Sequence, residues 1–155
     1  MSERPAHDAA DVLLELGPRL ARLLTVALEA RPHPRLSLRQ FRILQRLAEN
    51  PQRAAELAAF SGVSRPAMSA AVTALETQGL VHREPDPHDR RAAAVTMTPD
   101  GRTTYEQASE WLHEILTIVA ADLDDHDLRA LDRLRDPLNA GMDRARARLR
   151  HVRRP

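Results

Sequence analysis

The chain has 155 residues, 43% hydrophobic, 29% charged and 3% aromatic, a composition that suits one folded domain and excludes wholesale disorder. It contains no cysteine, which excludes disulfides, thiolate zinc sites and thiol-based redox sensing. The formal net charge is +1, the N-terminal residues are not those of a signal peptide, and no stretch is long and uncharged enough to span a membrane, so we expect a cytoplasmic protein.

The first predicted element is an amphipathic helix over residues 8–30. Its leucines and valine recur at intervals of three and four residues, which is the period of an α-helix. They are Val12, Leu13, Leu16, Leu20, Leu23, Leu24 and Leu28. Gly17 and Pro18 interrupt the pattern and predict a kink, and the prolines at positions 32 and 34 end it.

A second helix is predicted to begin at Ser37, because Ser37 and Gln40 have the S-x-x-Q spacing of a capping box. Asn50 and Pro51 end it. Its apolar face consists of Leu38, Phe41, Ile43, Leu44 and Leu47.

Residues 53–78 predict two short helices separated at Ser61 and Gly62. The second begins after Ser64, a good N-cap, and is followed by Gly79, where a left-handed C-cap residue is needed. One face of this helix is polar and the opposite face is apolar. The polar residues are Arg65, Ser69 and Thr73, and the apolar residues are Met68, Val72 and Leu75. A helix, a turn containing glycine and a capped helix are the outline of a helix-turn-helix.

Residues 85–91, PDPHDRR, predict a loop, because Pro85 and Pro87 each remove a backbone donor and favour extended geometry in the residues before them. The flanking residues, 80–84 and 92–97, are extended in character, so we predict a β-hairpin, or wing. Residues 35–102, which include both motifs, hold ten arginines and seven acidic residues, a net charge of +3.

A fifth helix, with Thr98 as N-cap and Pro99 in its first turn, is predicted to reach about Ala121. Its predicted buried stripe is Trp111, Leu112, Ile115, Leu116, Ile118 and Val119. A last helix, from Asp124 or Asp125 and kinked at Pro137, places Leu128, Leu131, Leu134 and Leu138 on one side. Terminal helices this apolar in a small protein imply a partner chain.

These elements predict a mainly α protein with a small β-hairpin wing. We divide it into an N-terminal dimerisation helix (1–36), a winged helix-turn-helix lobe (37–102), and C-terminal dimerisation helices with a basic tail (103–155).

Residues 37–102 closely resemble the multiple antibiotic resistance regulator (MarR) family of bacterial winged helix-turn-helix repressors. The resemblance rests on ELAAFSGVSRPAMSAAVTALETQGLVHRE, on the D-x-R pattern of Asp89, Arg90 and Arg91, and on VTMTPDGR, in which Met97 replaces a leucine of the family's V-x-L-T-x-x-G. It implies a homodimer whose terminal helices interlock and whose two lobes bind double-stranded DNA at a pseudo-palindromic operator. It also implies a repressor released by a small ligand. We expect no cofactor.

The resemblance implies DNA contacts on the second helix of the helix-turn-helix and on the wing. The expected helix contacts are Ser64, Arg65, Pro66, Ser69, Ala70 and Thr73, among which Arg65 is able to bind guanine edges bidentately. Many family members have arginine where this chain has Ala70, which puts more weight on Arg65. In the wing, Arg91 is expected to enter the minor groove, oriented by a salt bridge to Asp89. Arg90 and Arg53 are expected to bind phosphates.

The resemblance also implies a ligand cleft between the terminal helices and the lobe. By position, Phe41 and Arg42 on the second helix and Tyr105 and Trp111 on the fifth are expected to line it, and the ligand is expected to be aromatic or anionic. The alternative is that Phe41 and Trp111 belong to the hydrophobic core.

Other functions stay open on the sequence. A zinc-responsive regulator would use Glu110, His113 and Glu114, or His126 with Asp124, Asp125 and Asp127. A winged helix that docks only proteins fits a lobe less basic than many duplex readers. An enzyme is not expected, because the sequence has no glycine-rich phosphate loop, no nucleophile elbow and no catalytic histidine spacing.

Overall fold

The computed structural model describes residues 4–30, 36–86 and 89–152, and it describes side chains for residues 7–30, 36–85 and 93–149. The elements are α1 Arg4–Glu29, α2 Leu38–Glu49, β1 Gln52–Arg53, α3 Ala54–Ser61, α4 Arg65–Thr77, β2 Val81–Asp86, β3 Asp89–Met97, α5 Pro99–Val119 and α6 Asp125–Val152. The predicted class, mainly α with a small β wing, is confirmed. In the described part of the chain, no helix is both long and apolar enough to cross a membrane.

The chain divides into two compact units, Met1–Ile115 and Leu116–Pro155. In the first unit, side chains from five elements meet in one core around the helix-turn-helix. The largest fully buried ones are Leu28, Ile43, Leu44, Leu57, Met68, Val72, Leu75 and Val95. The C-terminal end of α1 therefore belongs to the same core as α2, α3, α4 and β3.

Local capping signals determine where the helices of the lobe begin and end. Ser37 and Gln40 form the predicted capping box at α2, with Gln40 N donating to Ser37 Oγ at 3.2 Å and Ser37 N donating to Gln40 Oε1 at 2.9 Å. Ser64 caps α4 by accepting from Ala67 N at 3.3 Å. The end of the turn between α3 and α4, and the start of α4, are therefore set by a contact between residues three positions apart.

The end of α4 is a Schellman motif centred on Gly79. Gly79 has φ 72°, a left-handed conformation that favours glycine. Its N–H donates to the carbonyl of Glu76, and the N–H of Leu80 donates to the carbonyl of Leu75, both at 2.9 Å. The chain is thereby turned directly from α4 into the first strand of the wing.

The sheet has three antiparallel strands in the order β1-β3-β2. β1 was not predicted from the sequence: Gln52 pairs with Val95 and Arg53 with Ala94. A strand of two residues has no alternating pattern of its own, so its pairing is visible only in the folded chain.

The prediction of a loop over residues 85–91 was wrong for most of that segment. Pro85 pairs with Ala93 and Asp86 with Asp89, so the strands continue to residues 86 and 89, and Pro87 and His88 lie outside the described residues. β2 is an edge strand of the sheet, which is the position where proline is tolerated. The register shifts between Pro85 and Asp86, which leaves residues 90–92 as an insertion in β3.

A clamp at Thr98 joins the two ends of the wing. Thr98 N donates to the carbonyl of Leu80 at 3.1 Å, and Thr98 Oγ1 donates to the carbonyl of Gly79 at 2.7 Å. The same oxygen accepts from Gly101 N at 2.9 Å and caps α5. The residues before β2 and after β3 are thus tied to each other and to the start of α5.

The apolar stripe predicted for α5 is buried only in part. Leu112 is buried, and Trp111, Ile115 and Leu116 are partly buried, but Ile118 is 72% and Val119 is 56% exposed. The helical period that predicts the stripe continues beyond Ile115 and Leu116, but the side chains of Ile118 and Val119 are exposed among the described residues.

We expect Gly101→Ala to lower the free energy of unfolding by about 1–3 kcal/mol, the usual cost of overpacking. A Cβ at this position would overlap the carbonyl oxygen of Leu80 and would lie 2.9 Å from Met97 Cγ. Urea unfolding measures the change. Gly17→Ala in α1 is the control: a Cβ there meets nothing within 4 Å, so it should stabilise by about 0.5–1 kcal/mol. Equal midpoints for wild type and Gly101→Ala would contradict the clamp.

Candidate nucleic-acid interface

The helix α4 is anchored in the core along one face and bare along the other. Met68, Val72 and Leu75 are each 0% exposed, as predicted. The residues predicted to contact DNA are all exposed: Ser64, Arg65, Pro66, Ser69, Ala70 and Thr73. The structure therefore brings these six positions together on one accessible surface, which we call the outer face of α4.

The N-terminal end of α4 is suited to negative charge. Ser64 satisfies one of the free backbone N–H groups, and Pro66 in the first turn has none to satisfy. The remaining N–H groups and the helix dipole favour an anion at this end. Arg65 is exposed beside it and adds a full positive charge.

A contact that was not predicted joins α4 to the wing. Arg83 on β2 places Nη1 3.3 Å from Glu76 Oε2, and its Nη2 donates to Thr73 Oγ1 at 3.4 Å. The side chain of Arg83 is 37% exposed and that of Glu76 is 28% exposed. No local pattern marks this group, because Arg83 and Thr73 are ten residues apart and meet only once the wing folds back onto α4.

The wing residues of the D-x-R motif are described only by their backbone. Asp89, Arg90 and Arg91 form the start of β3, and their side chains lie outside the described part of the structure. Arg90 and Arg91 fall within the register insertion opposite Pro85 and Asp86. An insertion of this kind re-aims side chains at the rim of a sheet. The salt bridge between Asp89 and Arg91 stays a prediction.

Arg53 lies at the junction of β1 and α3. It occupies the N-cap position of α3, and its backbone N–H donates to Glu56 Oε2 at 2.9 Å. Its side chain is partly buried. The backbone of Arg53 has a structural task here, and the predicted phosphate contact of its side chain stays a prediction.

The four residues predicted to line a ligand cleft occupy different environments. Phe41 is 8% exposed, and its ring lies 5.6 Å from that of the partly buried Tyr105. The indole N–H of Trp111 donates to the carbonyl of Ala27 at 2.8 Å and joins α5 to α1. Arg42 is exposed. These contacts give Phe41, Tyr105 and Trp111 a structural role; ligand binding by them stays a prediction.

Among the described residues, one group has metal-ligand atoms within 4.8 Å of one another: Asp124, His126 and Asp127, all exposed. Its two carboxylates are already used to cap α6. Asp127 N donates to Asp124 Oδ1 at 2.8 Å, and Asp124 N donates to Asp127 Oδ2 at 3.4 Å. Within the same described residues, Glu110, His113 and Glu114 do not form such a group. The capping contacts account for the positions of the two carboxylates in this cluster.

Comparisons with known proteins agree with this geometry. The model of the MarR family matches residues 36–92, which include the helix-turn-helix and most of the wing. Comparison with curated proteins finds no match. The transcriptional regulator BldR from Sulfolobus solfataricus is a similar solved structure, with 27% identity and a TM-score of 0.78, over 93% of this chain and 99% of that chain.

Two further solved structures share the fold. A MarR family protein from Bacillus stearothermophilus is 22% identical, with a TM-score of 0.78, over 92% of this chain and 99% of that one. Wild-type MarR from E. coli, in its apo form, is 21% identical, with a TM-score of 0.72, over 83% of this chain and 94% of that one. Residues 36–92, the helix-turn-helix with most of its wing, are therefore similar to the MarR family, and the chain has the winged-helix fold of these solved structures.

Proposed function

We propose that this protein is a transcription regulator that binds double-stranded DNA sequence-specifically, as a homodimer, and that it is a repressor released by a small ligand. The observation that carries the proposal is the outer face of α4: an exposed polar surface on a helix whose opposite face is fully buried. A helix held this rigidly and standing clear of the core is able to enter a major groove. The likeness to the solved regulator BldR supports the same function.

We propose that the wing adds a second contact through Arg91. A guanidinium group is attracted by the negative potential of a narrow minor groove, and Asp89 would hold it in position. Arg90 and Arg53 would bind phosphates, which position the protein without reading sequence.

Arg91→Ala should weaken operator binding by about tenfold or more and lower the salt dependence of binding by about one unit per half-site. The melting temperature should change little, because exposed ion pairs contribute little to stability. Binding is measured on the DNA upstream of the protein's own gene, and on duplexes recovered by site selection, across a salt series.

Arg133→Ala is the control for this test, since it removes an exposed arginine from α6, outside the lobe. Unchanged affinity in Arg91→Ala would remove Arg91 from the interface. If the wild type binds no duplex more tightly than random DNA, the winged fold serves a protein partner instead.

The homodimer is supported by exposed apolar side chains on the two terminal helices. On α1, Val12, Leu13, Leu16 and Leu20 are 42% to 54% exposed. On α6, the exposed residues Leu128, Leu131, Leu134, Leu138 and Met142 recur every three or four positions and form one stripe. A second copy of the chain would cover both surfaces, and we assign residues 1–36 and 103–155 to dimerisation.

We expect Leu131→Glu to convert the dimer to a monomer, because a carboxylate in the middle of the α6 stripe cannot be buried without a partner. The molar mass in solution, from light scattering, should fall by half. Ala140→Glu introduces the same charge on the opposite face of α6 and should leave the mass unchanged. A monomeric wild type would contradict the proposed dimer.

The ligand response is supported by the aromatic pair Phe41 and Tyr105 and by Arg42, the residue after Phe41 on α2, which is exposed. An arginine next to aromatic rings suits an aromatic carboxylate, which would contact both. Domain movement on binding would change the spacing of the two lobes and release the operator.

Titration with aromatic carboxylic acids should therefore change the fluorescence of Trp111 and release DNA over the same concentration range. Arg42→Gln should weaken both responses together, because it removes the positive charge that binds the carboxylate. Saturating acid that alters neither fluorescence nor DNA binding would count against this sensing site.

A further inference from the structure

The contact between Arg83 and α4 links the two parts of the lobe that are proposed to contact DNA. Thr73 lies on the outer face of α4, and Glu76 lies one turn further along the same helix. Arg83 lies on β2, the strand that leads to the tip of the wing. One guanidinium group therefore bonds to two turns of α4 from a strand of the wing.

The position of Arg83 on its strand makes this link rigid. Arg83 pairs with Val95 of β3, and Val95 is 0% exposed. The backbone of Arg83 is therefore fixed next to the core, while its side chain reaches out to Glu76 and Thr73. Two bonds from one planar group define an orientation, which a single contact would leave free.

The rest of the connection between α4 and the wing lies on the inner side of the lobe, where Val81 and Val95 are buried in the same core as the inner face of α4. The Schellman motif at Gly79 and the clamp at Thr98 hold the base of the wing. These contacts all lie at the base of the wing or on the buried side of α4. On the exposed side, Arg83 adds a polar link from the strand to Glu76 and Thr73 of the helix.

We propose that Arg83, through its ion pair with Glu76 and its hydrogen bond to Thr73, is a positioning residue that sets the angle between α4 and the wing. This rests on the proposed function, since the angle matters only if both elements bind one DNA segment. A second effect falls on Thr73. Because Oγ1 accepts from Arg83, the hydroxyl hydrogen is directed away from Arg83 and is available to an acceptor on DNA.

The sign of the effect of Glu76→Gln distinguishes positioning from simple electrostatics. Removing a carboxylate near the phosphate backbone should tighten DNA binding if only charge matters. If Glu76 acts through Arg83, the same substitution should weaken operator binding by about fivefold, with no change in the salt slope. Arg83→Gln should weaken binding by a similar factor and also leave the salt slope unchanged, because Arg83 does not contact phosphate in this scheme.

The two substitutions should not be additive. Because each removes the same link, the double variant should bind about as well as either single variant. In the Glu76→Gln background, Arg91→Ala should also cost less affinity than in the wild type, since a wing at the wrong angle contributes less. A role in stability alone would not produce this coupling between Glu76 and the wing.

Glu49→Gln is the matched control. Glu49 forms an exposed ion pair with Arg46 at 2.6 Å, but both residues lie on α2. The same chemical change there should leave operator affinity unchanged. Urea unfolding of each variant accompanies the binding measurements, so that a loss of folded protein is not counted as a loss of affinity.

The outcomes separate this inference from the proposed function. If the wild type binds its operator and Arg91→Ala weakens binding, but Glu76→Gln binds as tightly as the wild type or more tightly, the positioning role is overturned and the proposed function stands. A salt slope lowered by about one unit per half-site in Arg83→Gln would make Arg83 a direct phosphate contact and would equally overturn the positioning role. If the wild type binds no operator, both the positioning role of Arg83 and the proposed DNA-binding function are contradicted.

Discussion

The three hydrogen bonds of Thr98 are the constraint on which the winged lobe depends. Two of them tie the residue after β3 to the carbonyls of Gly79 and Leu80, immediately before β2, and the third begins α5. A hairpin of two long strands is only marginally stable in water by itself. Here its open end is closed by the clamp, and β1 adds a third strand on the other side of β3. The wing is therefore stabilised by its connection to the core.

The same arrangement explains how α4 is exposed without being loose. Its start is capped by Ser64, its end is turned by Gly79, and its inner face is buried through Met68, Val72 and Leu75. Of the residues that meet these requirements, Ser64 alone belongs to the outer face. The side chains at Arg65, Ser69 and Ala70 can therefore vary for binding with little effect on folding.

The starts and ends of most helices in the lobe can be predicted from the sequence, because they depend on capping residues close to them in the chain. Ser37, Ser64, Gly79 and Thr98 act on backbone groups within a few residues of themselves, and each predicted cap is present. Features that depend on distant partners were missed. The strand β1 is defined only by its pairing with β3, and the bond from Arg83 to Thr73 crosses ten residues of chain.

Two wrong predictions have physical causes of the same kind. Pro85 predicts the end of a strand, but it lies in an edge strand, where its missing N–H is tolerated. The stripe on α5 was extended to Ile118 and Val119 because the helical period continues, although the core of the chain ends earlier. The candidate DNA contacts on α4 could be identified because burial of one helical face determines the other. The candidate DNA contacts in the wing are side chains that lie outside the described part of the structure.

The register shift in the wing separates the residues of its tip from the regular pairing of β2 and β3. The pairs from Val81 with Met97 to Pro85 with Ala93 keep one continuous register, and the insertion at residues 90–92 lies beyond them. Residues added, lost or exchanged in this segment leave the alternation of the strands, and hence the buried position of Val95, unchanged. The length and charge of the tip are thereby able to change during evolution while the paired strands and the core stay the same.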